Sequence, residues 1–136
     1  MNSGATLNDI VASVEVNPEL LELPYLRPLY DEPEFVIRNI WRLYGGWWDG
    51  KPSHLKPAAD DLLAVALCEM VGGASVLAER ARQIADDGDF RVASHLIDLA
   101  SDAAPDAIEV HEIRASIYMD RRAQETSLMA KGIFES

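Results

Sequence analysis

Residues 74–106 read ASVLAERARQIADDGDFRVASHLIDLASDAAPD, two apolar-striped runs joined at Gly88. Leu77, Ala81 and Ile84 recur at the spacing of one helix face, and Phe90, Ala93, Ile97 and Ala100 repeat it in the second run. The spacing predicts helices over 74–87 and 90–103. Gly88 supplies the left-handed conformation that ends the first, and Pro105 closes the second. Small residues at the crossing let two such helices approach closely, so the pair is a helical hairpin.

Outward from the hairpin, the pattern recurs once. Ala115 stands 34 residues after Ala81, and Tyr118 stands 34 after Ile84, the period of tetratricopeptide-like helical repeats. The second copy decays, with Ser127 where an alanine is expected and Lys131 after it. Asp106 is expected to cap a helix running to about Met119, with a last helix over 123–134. Upstream, Ala58 to Val71 reads as a helix closed by Gly72-Gly73, with Asp60-Asp61 complementing its dipole.

The first half has a different grammar. Six of the seven prolines lie at or before Pro57, and seven of the ten aromatic residues fall between Tyr25 and Trp48. A short helix is expected over 5–16, and Asn17-Pro18 starts another. Pro24 and Pro28 make Leu23 to Asp31 an extended arm, and Glu32 to Tyr44 returns to helix with Phe35, Ile37, Ile40, Trp41 and Tyr44 apolar. Gly45-Gly46 stops it. No segment alternates as a strand, so the chain is all-α: helical hairpins, a tetratricopeptide-like C-terminal part and a proline- and aromatic-rich N-terminal arm.

The 136 residues fit one domain with an ordinary core. Net charge is −11, from 23 acidic and 12 basic residues, which disfavours nucleic acid and anionic membrane surfaces as partners. No run approaches the length of a membrane span. The lone Cys68 lies in an apolar run and reads as a buried small hydrophobe, which fits a reducing, cytoplasmic setting.

Chemistry is sparse. His54, His95 and His111 show no helical metal-pair spacing, and neither H-x-H-x-D-H nor H-E-x-x-H occurs. Asp86, Asp87 and Asp89 read as a solvated turn. There is no phosphate loop and no nucleophile elbow. No catalytic residue and no metal ligand set is expected, and the chain alone is not an enzyme. The least ordinary stretch is Trp47-Trp48-Asp49-Gly50-Lys51-Pro52. Either the loop is pinned by its own aromatics, with at least one tryptophan on the core, or it meets a partner. His54 beside it is the histidine kept as a site candidate.

The string from Tyr44 to Pro52, with Leu55 and Pro57, resembles the start of the dimerisation domain of alkyl sulfatases. The resemblance continues through Gly72-Gly73-Ala74, Gly88-Asp89-Phe90-Arg91 with Ala93, Ala103 to Asp106, and Arg122-Ala123 with Glu125. It implies that 24–136 is such a domain and 1–23 the segment connecting it to a preceding catalytic domain of metallo-β-lactamase fold. That domain would carry the zinc, so no cofactor is expected in this chain. It further implies a homodimer and a lid over the active site, with Tyr44, Trp47, Trp48, Asp49 and His54 as lid or interface residues. The family carries a His-Asn pair about a dozen residues before the tryptophans, near bound sulfate; Phe35-Val36 stand there, so the resemblance implies a parent without that polar group. The alternative is a freestanding tetratricopeptide-like module that binds a protein or an acyl chain.

Overall fold

The computed structural model describes residues 4–135, all of them in helices, turns and loops with no strand among them. The helices are α1 (Leu7–Ser13), α2 (Pro18–Leu21), α3 (Pro33–Gly45), α4 (Asp60–Val71), α5 (Ala74–Asp86), α6 (Phe90–Ala103), α7 (Ile108–Gln124) and α8 (Leu128–Phe134), with a 3₁₀ turn at Pro52–His54. They sort into two compact units, Met1–Pro57 with Thr126–Gly132, and Ala58–Glu125 with Ile133–Ser136.

The second unit holds the repeat. Ala78, Ala81, Ala93 and Ala100 are fully buried between helices, around Leu77, Ile97, Val110 and Ile117. The alanine methyl groups leave room for α5 and α6 to pack against each other around Leu77 and Ile97. Gly88 turns the chain at a φ of +94°, and the Asp89 carboxylate caps α6 by accepting from the Val92 N–H at 3.1 Å. The 34-residue period is visible as contacts. Ser75 Oγ donates to Glu109 Oε1 at 2.7 Å, and Arg82 Nη1 donates to Ser116 Oγ at 3.3 Å. Both pairs span 34 residues, so α5 and α7 run parallel and in register. α6 and α7 run antiparallel, tied by Arg114 to Asp98 at 2.9 Å and Arg121 to Ser94 at 2.6 Å.

α4 packs on α6 through one side. Only Ala64 and Cys68 of α4 are buried, while Leu62, Leu63, Val65, Met70 and Val71 stay exposed. Gly72, at a φ of +101°, ends the helix in the left-handed conformation, and α5 leaves at 85° to it.

In the first unit, Thr6 and Asp9 form a reciprocal capping box on α1, and Asn17 caps α2 through the Glu19 N–H. Trp41 and Val11 are its buried apolar residues, with Ala130 and the fully buried Ser127. Ser127 Oγ donates to the Tyr30 carbonyl at 2.7 Å and accepts from the Ala130 N–H at 3.2 Å. The small residue that replaces the repeat's alanine is therefore a helix cap with its hydroxyl satisfied.

Several expectations are corrected. Leu23 to Asp31 is not extended: the Leu23 carbonyl accepts from Leu26 N at 2.9 Å and Arg27 N at 3.0 Å. Pro24 has the fixed φ that the second position of a turn requires, so it folds the segment instead of straightening it. Asp106 does not cap α7. It lies within a turn closed by Ala107 N to Ala104 O at 3.0 Å, one residue too early, and the cap position is Ala107. α7 passes Met119 and ends at Gln124, its last turn held by Arg121 and Arg122, so the final helix begins at Leu128. The ends at 5–16 and 58–71 fray inward to Leu7–Ser13 and Asp60–Val71. Among the apolar residues of α3 only Trp41 is buried; Ile40 and Tyr44 face outward.

Candidate functional site

The loop from Tyr44 to His54 is built by its own hydrogen bonds. α3 stops where Gly46 takes a φ of +82°. Buried Trp41 then donates its indole N–H to the Trp48 carbonyl at 3.0 Å, and the Trp48 indole donates to the Lys51 carbonyl at 3.1 Å. The Asp49 carboxylate accepts from the Lys51 N–H at 3.0 Å and meets His54 Nδ1 at 2.5 Å. The Lys51 N–H, and after it His54, hold the Asp49 carboxyl below the usual carboxylate range. The Asp49 carbonyl accepts from Leu7 N at 2.9 Å, which fastens the loop to the start of α1. Gly50 sits there at a φ of +93°, and a Cβ added to it would stand 3.3 Å from the Thr6 backbone, so no larger residue fits without movement.

The structure thus joins Trp48, Asp49 and His54 in one latch and leaves Tyr44 and Trp47 outside it. Tyr44 is 76% exposed and Trp47 75%. The expectation that one of the paired tryptophans packs on the core is corrected: Trp48 is itself 38% exposed, and Trp41 fills the interior. Trp41 takes that place because it lies on the inner face of α3, whereas 47 and 48 follow the helix stop.

The remaining candidates separate. His95 is exposed. His111 Nε2 lies 2.8 Å from the Pro105 carbonyl and Nδ1 3.3 Å from Ser101 Oγ, a local brace at the start of α7. Cys68 is buried, and burial pushes its thiol up, which makes it unreactive. Among the described residues no three His, Cys, Asp or Glu side chains converge on a metal position. None of their helices is long and apolar enough to cross a membrane alone.

Two features escape a reading by motifs. One is the polar knot of Asp98, Arg114 and Tyr118, whose members are 16 and 20 residues from Asp98 and carry no spacing signal. The other is α4, whose sequence from Leu62 to Cys68 has no polar side. That run is apolar on every side of the helix, yet only Ala64 and Cys68 of it are buried.

An all-helical domain of stacked hairpins, with a latched aromatic loop and apolar faces left uncovered, is the class these features define. The family described as alkyl sulfatase dimerisation matches residues 6–136, and the chain belongs to it. It is 35% identical over 97 residues to an (R)-specific secondary-alkylsulfatase of Pseudomonas sp., covering 71% of this chain and 15% of the relative. An alkyl/aryl-sulfatase of Saccharomyces cerevisiae is 25% identical over 115 residues, covering 85% and 18%. The solved structure of the stereoselective inverting sec-alkylsulfatase Pisa1 from Pseudomonas sp. superposes on 99% of the chain with a TM-score of 0.87 and 26% identity, across 22% of its own length. The chain therefore spans less than a quarter of these proteins.

Proposed function

We propose that the chain is the dimerisation and active-site lid domain of an alkyl-sulfatase-like hydrolase, in which two identical copies meet through faces left apolar in the single chain. The observation that carries this reading is the amount of large apolar side chain at the surface. Tyr25 is 79% exposed and Met70 82%, and Leu43, Tyr44, Trp47 and Leu62 are each more than half exposed. A monomer rarely leaves so much apolar surface in water, whereas obligate dimer interfaces bury about 2,000 Å² or more of it.

Catalysis then resides elsewhere in the parent. Its short share of the relatives' length supports a preceding catalytic domain, of metallo-β-lactamase fold, with the zinc held there. The latched loop, presenting Tyr44 and Trp47, is the element that covers the active site, and residues 1–23 lead to it from the catalytic domain. The lone buried thiol fits a cytoplasmic parent.

Light scattering of the 136-residue chain over a hundredfold concentration range tests the association. A stable species near twice 15.0 kDa is expected. A monomer at every concentration overturns the reading and leaves a freestanding binding module in its place.

A further inference from the structure

The uncovered apolar faces differ in charge. Residues 33–57, which form α3 and the tryptophan loop, carry Arg38, Arg42, Lys51 and Lys56 against Glu34 and Asp49, a net +2 in a chain of −11. All four cations are exposed, and none makes a side-chain hydrogen bond or ion pair among the described residues. Three cations of the repeat are paired internally by contrast: Arg82 with Asp86 and Asp120, Arg114 with Asp98, and Arg122 with Glu135. Residues 58–136 have fifteen acidic and seven basic side chains, a net of −8. Their uncovered helix, α4, holds Asp60, Asp61 and Glu69 and no cation.

We infer that the dimer is reciprocal: α3 of each copy, with Arg38 and Arg42, seats on the acidic, apolar α4 of the other. This rests on the dimerisation reading above. The partner is a second copy because one chain presents both halves of a complementary pair, and both are exposed in the single chain. A two-fold axis makes residue i meet j and j meet i, so one pairing of unlike faces closes the dimer with two equal contacts. Pairing α4 with α4 would set three carboxylates of each chain against three of its copy. Pairing α3 with α3 would set arginines together. The unlike pairing avoids both and gives Arg38 and Arg42 acidic neighbours. Ile40 and Leu43 on one side and Leu62 and Met70 on the other supply the apolar burial.

The test uses two charge-reversed chains. Arg38→Glu/Arg42→Glu makes the first face acidic, and Asp61→Lys/Glu69→Lys makes the second basic. Each chain alone then sets like charges together twice, and dimer dissociation is expected to rise at least tenfold. Mixed in equal amounts they regain both contacts as unlike pairs, so a dimer of the original stability is expected from the mixture. A mixture no better than its components overturns the inference. So does loss of dimer in one chain only, which would mark a like-with-like contact. The neutral pairs, Arg38→Gln/Arg42→Gln and Asp61→Asn/Glu69→Gln, serve if a reversed chain folds poorly; each should weaken the dimer to a smaller degree, and no weakening in either overturns the inference too. A monomeric unaltered chain would instead defeat the dimerisation reading itself, so the two failures are distinct.

Discussion

Tyr118 gathers three kinds of interaction on one side chain. Its hydroxyl donates to Asp98 Oδ2 at 2.7 Å, the Arg114 guanidinium lies 4.9 Å over its ring, and the Phe134 ring is 5.7 Å away. Burial, and then the hydrogen bond to the Asp98 carboxylate and its charge, push the phenol up to about 12. The native state thus holds this proton beyond the pH at which an unfolded tyrosine releases it. The stabilisation is complete below about pH 10 and is lost as pH rises through about 12. Alkaline titration followed by ultraviolet absorbance should show a late phenol step that Tyr118→Phe removes. If the two titration curves coincide, the assignment is wrong. None of this was legible beforehand, because Asp98, Arg114 and Tyr118 meet only once α6 and α7 pack. The Asp49–His54 latch was closer to legible: the aromatic and glycine-rich string marked the loop, but not which tryptophan would fill the interior.

Helices were read well where local signals and packing agree. α6 runs from Phe90 to Ala103 as its periodicity and the flanking glycine and proline require. Ala93, fully buried at the crossing, belongs to the same logic. Ala93→Leu should cost about 1–3 kcal/mol by overpacking, seen as a lower midpoint in urea unfolding. An unchanged midpoint would show that the hairpin has room there. α7 was read five residues short, because the bonds that extend it, Arg121 to Ser94 and Arg122 to Glu135, join residues 27 and 13 apart. Pro24 was read as straightening the chain, since a proline's fixed φ suits extended and turn conformations alike. The neighbouring carbonyl settled the matter by finding two donors.

At the scale of the whole molecule, the exposed aromatic loop distinguishes a structural from a functional residue. Trp48 holds the loop through Lys51, whereas Trp47 is 75% exposed and makes no side-chain hydrogen bond among the described residues. Trp47→Ala should leave the chain's stability within about 0.5 kcal/mol of the original. If the loop covers the active site, replacing Trp47 and Trp48 with alanine should impair the full-length enzyme more on long-chain substrates than on short ones. Equal losses on both would defeat the lid reading.

The sequence by itself determined that the chain is helical, where its hairpin turns, that its repeat spans 34 residues, and which family it joins. These are local matters: apolar spacing, glycine at positive φ, proline at breaks, and a string of aromatics specific enough to name. Only the tertiary structure decided which apolar residues are left in water. Periodicity says that a residue belongs to a face, and packing says whether anything covers that face. α3 and α4 read as apolar helices, and the fold buries one side of each, Trp41 in the first and Ala64 with Cys68 in the second. What remains uncovered is surface that no other helix among the described residues buries.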